Sequence, residues 1–456
     1  MNKIRIPNEL RQMYGYFEKA GFSAYLVGGA VRDMIMGKAA HDWDIATNAR
    51  PEEVSKIFKK VIPTGIAHGT VTVIFMQNHI GVTTFRTEAD YSDGRHPNKI
   101  EYAGKIEEDL SRRDFTMNAI AANLKDGTLV DPFEGKNDIK KKIIRCVGEP
   151  LERFSEDGLR PVRALRFASQ LGFEIDKKTL EAIPKTLPIC AKVAVERFHD
   201  ELIKMLISPK PSVGLKLMEK CGIMQLFLPE LCACRGVEQK GFHNFDVLDH
   251  LFYSCDGTLT CKTEVRLAAL FHDIAKPLVR SLGKDGTYTF YQHENESAKL
   301  TQKILDRLHF SKQCSTYVCH LIKQHMFFYE SNWTDAAVRR FLMRIEYDKN
   351  AEVLNDLFDL RFGDLYGMNC QNASPTHLKE FSDRIEKILQ EQNAFSLKDL
   401  AVNGKDLMNL GIPAGKIIGQ ILAELLESVL DDPSFNQKEK LLPLAKNIYL
   451  RYQVEN

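Results

Sequence analysis

Short apolar runs mark the first third of the chain: AYLV at 24–27, TVTVIF at 70–75, GVTTFR at 81–86 and AIAANL at 119–124. Several alternate apolar with polar positions, the period of two that places successive side chains on opposite faces of a strand. Beyond about residue 150 the period changes. In LRPVRALRFASQLGF and ELIKMLISPKPSVGLKLMEKCGIMQLFL the apolar residues recur three and four apart, which predicts amphipathic helices. The pattern predicts an α+β fold: a mixed domain over 1–150, a helical neck over 151–230, a second helical domain over 231–370 and a helical tail over 371–456. The stretch FLPELCACRGVEQKGFHNF reads as the connection into the second helical unit, and NGKDLMNLGIPAGK and DDPSFNQ break the tail. There is no internal repeat and no low-complexity tract.

Composition narrows this picture only slightly. With 456 residues, 44% hydrophobic and 27% charged, the chain reads as a soluble protein too long for one compact core. The net charge of +1 neither supports nor excludes a nucleic-acid partner, since clustering decides that. Basic groups at Lys56, Lys59 and Lys60 and in KNDIKKK fit a solvated surface equally well. Ten cysteines without a repeated CxxC pair point to a reducing compartment and away from structural zinc; LCACR lacks a second pair. The amino terminus MNKIRIPNELRQMYGYFEKAG reads as a charged helix, and no run is long and apolar enough to span a bilayer. A cytoplasmic location, no membrane contact and no obligate protein partner are expected.

Candidate chemistry begins at HDWDIATNARPEEV. Asp42 and Asp44 sit two apart, and in a strand both carboxylates face one side, a repulsion that a cation relieves. An isolated DxD also occurs as a polar turn. Upstream, AYLVGGAVRD reads as strand, tight turn and helix, where Gly28, Gly29 and Arg32 can hold an anion. A triphosphate site beside paired carboxylates describes nucleotidyl transfer with magnesium. RRDFTMNAIA adds Arg113, Asp114 and Asn118, the last two on one face if the segment is helical, with a helix cap as the rival role for Asp114. DPFEGKNDI reads as an architectural turn. SEDGLRPVRALRF spaces Asp157, Arg160, Arg163 and Arg166 three apart, a stripe able to pair with base edges or phosphate, or with neighbouring side chains.

GGAVRD, DWD, RRDFTMNA and EDGLR occur in the order and approximate spacing of one family. Over its first 230 residues the chain resembles the tRNA nucleotidyltransferases and bacterial poly(A) polymerases, the class II branch of the polymerase-beta-like nucleotidyltransferases. The resemblance implies a palm-type head domain. It makes Asp42 and Asp44 the catalytic carboxylates that bind Mg2+, and Gly28, Gly29 and Arg32 the triphosphate cradle. Arg113, Asp114 and Asn118 would position ribose and phosphates. Asp157 and Arg160 would act as an amino-acid template for CTP and ATP, with Arg163 and Arg166 beside them. The implied reaction is addition of CMP, CMP and AMP to the 3′ end of tRNA. Gly81 departs from the pattern, where an acidic residue often precedes VTTFR. RTEADYSDGRHP, with Arg86, Glu88 and Asp90, favours capacity to add the terminal A. Alternatives are an enzyme that adds only A, a poly(A) polymerase, and an RNA-binding protein with an inactive palm.

A second constellation lies downstream. DVLDHLFYS, LAALFHDIAKP, YQHENESA, HLIKQHM and LRFGDLYG contribute His250, His272, Asp273, His293, His325 and Asp364. Burying adjacent His272 and Asp273 within an apolar helix without a metal or partner is costly. Imidazole and carboxylate ligands suit Mn2+, Ni2+, Fe2+, Zn2+ or Mg2+. This pattern resembles the HD phosphohydrolases, which implies His250, His272, Asp273 and Asp364 as metal ligands. His293 and His325 would serve a second metal or the substrate phosphate. The implied activity is hydrolysis of 2′,3′-cyclic phosphates or 2′-nucleotides; the rival is an HD domain that only lengthens the tRNA-binding surface.

Overall fold

The computed structural model describes residues 2–40, 42–66, 69–91, 97–239, 244–284, 286–371, 376–391 and 396–455, with the side chains of 88–91, 97–100, 376, 377 and 455 excepted. The chain divides into two compact units. One spans Met1–Ala233 with Arg307–Phe310; the other spans Cys234–Asp306 with Ser311–Asn456.

The first unit is built on a seven-stranded mixed sheet. Its strands are β1 (Ala24–Val27), β2 (Asp44–Thr47), β3 (Val61–Gly65), β4 (Thr70–Phe75), β5 (Asn78–Thr84), β8 (Ala121–Asn123) and β9 (Leu129–Val130), in spatial order β3-β4-β5-β2-β1-β8-β9. β6 (Arg86–Tyr91) and β7 (Pro97–Tyr102) form a separate antiparallel hairpin. β2 is central, antiparallel to β1 and parallel to β5, and its last three residues are buried. That register sets Asp44 at the strand end, opposite Val27 on one side and Gly81 on the other. The helix Asn8–Lys19 buries Leu10, Met13 and Phe17, spaced three and four apart. Each such side chain removed from water favours folding by about 1.5–3 kcal/mol. Phe17 also meets Phe58 edge-on.

Helices then take over within the same unit. Leu159–Leu171 packs against Val195–Leu206 and Pro211–Lys220, with Val162, Leu165, Leu202, Met205 and Leu215 fully buried. In the second unit Val247–Gly257 packs along Glu352–Asn369, and both contact Thr263–Phe271. Residues from 400 to 448 form a further apolar cluster that includes Leu407, Ile421, Leu425, Val429 and Leu441. Among the described residues no helix is long and apolar enough to cross a membrane.

Candidate functional sites

The first site gathers where β1 turns into the helix Gly29–Ile35. Gly28 has φ +74°, a backbone region open mainly to glycine, and a Cβ there would lie 3.3 Å from an Arg113 guanidinium nitrogen. The turn therefore brings main chain and Arg113 together. Arg113 is held by the buried Asp109 at 3.2 Å, while its Nε is buried without a hydrogen-bond partner, a cation with a donor left to give. Arg32 is also buried. It pairs with Asp33 at 2.8 Å and donates from its other terminal nitrogen to Asn118 Oδ1 at 2.8 Å.

Asp42 lies in a bend immediately before β2, and Asp44 opens the strand. The Asp44 carboxyl has a raised pKa, chiefly because of desolvation; Arg113 opposes the rise and Asp42 adds to it. Asp44 thus senses both Arg113 and Asp42. A divalent cation answers this combination, since it would relieve the repulsion and favour the ionised form. Gly81 completes the geometry: a Cβ built on it would sit 2.7 Å from Asp44 Oδ1, so Asp44 occupies the space a side chain at 81 would need. Glu88 and Asp90 lie outside the residues whose side chains are described, while Arg86 opens β6.

Behind these groups runs a continuous polar network. Asp114 is half-buried and accepts from Phe115 N, from Asn118 Nδ2 at 3.2 Å, and from Arg163 at 2.9 and 2.6 Å. Burial pushes its carboxyl up, but the Arg163 ion pair and these donors outweigh that and hold it at about 2. Asn118 bridges Asp114 to Arg32, although the segment carries only a single 3-10 turn, Thr116–Asn118, rather than a helix. Arg163 also approaches Glu201 at 3.6 Å. Arg166 stacks on Phe167, pairs with Glu201 Oε2 at 2.6 Å and donates to Gln170, so its guanidinium is committed inside the neck.

Asp157 differs from the expected helical stripe. It lies between the helices Pro150–Glu156 and Leu159–Leu171 in extended conformation, φ −140° and ψ 108°, and accepts from Leu159 N. A carboxylate bonding the amide two residues on favours this break over continuing the helix. Arg160 begins the next helix and is buried, bonded to Glu156, Arg153 O and Arg112 O. Arg197 grips Asp157 through both oxygens, at 3.0 and 2.8 Å. Arg197, Glu201, Asp109 and Glu156 were not singled out in the sequence. The i,i+4 pair in ERFHDE, Arg197 and Glu201 on the inner turns of a helix, was the available signal. DPFEGKNDI is a turn in which Asp131 caps Gly135 and Lys136 through their amides.

In the second unit the expected residues converge. His272 and Asp273 stand at the end of Thr263–Phe271 rather than inside it, because the helix closes at His272. His250 Nε2 lies 3.4 Å from Asp273 Oδ2 and 3.3 Å from Asp364 Oδ1; His272 Nε2 lies 3.4 and 3.6 Å from the same atoms. On the other Asp273 oxygen, His293 Nε2 approaches to 3.1 Å and His325 Nε2 to 3.9 Å. The Nδ1 atoms of His272, His293 and His325 bond carbonyls of their own turns, at 3.0, 2.8 and 2.6 Å. That arrangement favours Nδ1–H and turns each Nε2 lone pair inward, as metal-binding imidazoles require. Two overlapping groups, His250–His272–Asp273 and Asp273–His293–His325, have the spacing to hold a cation. Asp273 Oδ1 and His293 Nε2 are buried without hydrogen-bond partners, which a metal would satisfy. An adjoining cavity of about 450 Å³ is lined by Lys276, Tyr288, Tyr291 and Arg361 among others.

Comparison with known proteins matches the chain to nucleotidyltransferase domains and enzymes. Residues 24–145 match a family model described as the poly A polymerase head domain. Residues 172–234 match one for a probable RNA and SrmB-binding site of polymerase A, and 288–445 one for a putative tRNA nucleotidyltransferase domain 2. The last region carries His293, His325 and Asp364, so the match there is to a nucleotidyltransferase domain and not to the phosphohydrolase domain expected from the sequence. The chain is 33% identical to the CCA-adding enzyme of Ligilactobacillus salivarius over 97% of its own length and 98% of the relative's. For the Enterococcus faecalis CCA-adding enzyme the identity is 32%, with 98% of both covered. Among solved structures, the Bacillus stearothermophilus CCA-adding enzyme in complex with CTP superposes with a TM-score of 0.76 at 28% identity, covering 98% of each chain. The Thermotoga maritima CCA-adding enzyme complexed with tRNA shares the fold, with a TM-score of 0.59 at 20% identity over 97% of this chain and 95% of that one.

Proposed function

This chain belongs to the CCA-adding enzyme family and is a nucleotidyltransferase, and from that premise we propose that it adds CMP, CMP and AMP from CTP and ATP to the 3′ end of tRNA. The observation that carries the reading is the glycine turn after β1, which brings main chain against Arg113 while the β1–β2 register sets Asp44 opposite Val27 at the same strand end. In the reaction the terminal ribose hydroxyl of tRNA loses its proton and its oxygen attacks the nucleotide α-phosphate. A new O–P bond forms, the bond to the β-phosphate breaks, and pyrophosphate leaves. Asp42 and Asp44 are the ligands for Mg2+, which when bound supplies positive charge that acidifies the hydroxyl and offsets the phosphates. Gly28 and Gly29 let the main chain approach the triphosphate, and the Arg113 donor neutralises it. Arg163 and Asn118 lock Asp114, and through Asn118 they fix Arg32.

Base choice falls to Asp157 and Arg160. A carboxylate accepts from cytosine N4 or adenine N6, and a guanidinium donates to the ring nitrogen beside it; uracil and guanine present the opposite order and leave groups unpaired. With glycine at 81, β5 adds no carboxylate beside Asp44, so the cation depends on Asp44 and on Asp42 just before the strand. The test is incorporation of CMP into tRNA lacking its 3′ CCA. An Asp42→Ala protein that incorporates as fast as the parent would refute the reading.

A second activity is supported by the histidine–aspartate cluster. With a divalent ion held by His250, His272, Asp273 and Asp364, the second unit would hydrolyse phosphate esters such as 2′,3′-cyclic nucleotides, the ion supplying Lewis acidity. Lys276 and Arg361 would steady the phosphate, and His293 and His325 would hold a second ion or the substrate. Release of phosphate from 2′,3′-cyclic AMP and adenosine 2′-phosphate, compared between parent and Asp273→Ala, tests this; equal rates would defeat it.

A further inference from the structure

The hydrogen-bond inventory around Asp157 carries one step more, and it rests on the proposed base-selecting role of Asp157 and Arg160. A carboxylate oxygen accepts about two hydrogen bonds. On Asp157, Oδ1 takes the Leu159 amide at 3.0 Å and one Arg197 nitrogen at 3.0 Å, and Oδ2 takes the other Arg197 nitrogen at 2.8 Å. Among the described residues these bonds leave a single acceptor position, and it is on Oδ2. Arg160 is depleted in a complementary way. One terminal nitrogen gives its hydrogens to Arg153 O at 2.9 Å and Glu156 Oε2 at 2.6 Å, and the other gives one to Arg112 O at 3.0 Å. What Arg160 keeps is donor capacity alone.

We propose that Arg197 is a positioning residue for nucleotide choice: by gripping both oxygens of Asp157 it leaves one acceptor in a fixed direction beside the Arg160 donor. An acceptor next to a donor is the complement of the amino and ring-nitrogen edge shared by cytosine and adenine. Uracil and guanine would set a carbonyl against Oδ2 and an N–H against Arg160. A carboxylate free to turn can expose its other lone pairs or admit water, and the penalty for the wrong base then falls. A bidentate guanidinium–carboxylate pair prevents such turning, whereas an ammonium at the same place makes a point contact. The rival role for Arg197 is to tie the helix Val195–Leu206 to the chain before Leu159, which would affect folding but not base choice.

The test measures kcat/KM for CTP and UTP on tRNA lacking its 3′-terminal nucleotides, for parent, Arg197→Met and Arg197→Lys, with thermal unfolding of each. The expected result is a CTP-over-UTP preference reduced about tenfold or more in Arg197→Met, through loss of the unpaired-group penalty, and partly restored in Arg197→Lys. Preferences within about twofold of the parent, whatever the change in stability, would overturn the proposal and leave the function above intact; a factor of two is about 0.4 kcal/mol. If Arg197→Met does not fold, Arg197→Lys decides alone, with a reduced preference expected. A parent that incorporates neither nucleotide would overturn the proposed function and this inference together.

Discussion

Asp114 shows how a single residue couples stability to the site. Held at about 2 against an ordinary 3.8, its carboxyl favours the folded state by about 2 kcal/mol when ionised. Because the folded pKa is the lower one, this stabilisation is present above the ordinary carboxylate range and is lost as pH falls through about 2. Asp114→Asn should therefore cost at least about 2 kcal/mol at pH 7 in urea unfolding, with the gap to the parent closing below pH 4; a constant gap would contradict the assignment. Gly81 makes a second residue-scale case. Gly81→Ala places a Cβ 2.7 Å from Asp44 Oδ1. The carboxylate must swing aside, so the Mg2+ concentration for half-maximal incorporation should rise severalfold with little change in thermal midpoint. The motif residues were legible in the sequence because their spacing along the chain is short. The partners of Asp157 and Arg166 were not, since Arg197 and Glu201 lie 40 and 35 positions away and only the packing of two neck helices brings them near.

At the scale of elements, one turn sets the first site. β1 ends at Val27, Gly28 takes a positive φ, and the next helix starts at once, so main chain and Arg113 meet at one point. Gly28→Ala strains the backbone by about 1–3 kcal/mol and pushes Arg113 away. A raised KM for CTP, larger than the fall in kcat, is the expected outcome of steady-state kinetics. The alternating and helical periods correctly located strands and helices but not where helices end. Asp157 was read within a stripe and His272–Asp273 within a helix, yet both lie at helix boundaries. The cause is the same in each region: polar side chains close to the main chain compete with the helix for its hydrogen bonds, and periodicity carries no mark of that competition.

Across the whole molecule, the chain falls into two compact units that part at Ala233 and Cys234, and the stretch FLPELCACRGVEQKGFHNF reads as a connection between helical parts. Asp273→Ala, which removes the residue shared by both cation-holding groups, should strip divalent metal from the second unit, read by elemental analysis of the purified protein, while CMP incorporation stays within about twofold of the parent, or 0.4 kcal/mol. Retained metal would contradict the ligand assignment. The central claim concerns the first unit, and the most direct measurement follows tRNAs that lack three, two or one of their 3′-terminal nucleotides, each with CTP, ATP or both, at single-nucleotide resolution. The account predicts that every substrate is completed to CCA and extension then stops. Extension only of the substrate lacking the final A, or an unbounded adenosine ladder, would contradict it.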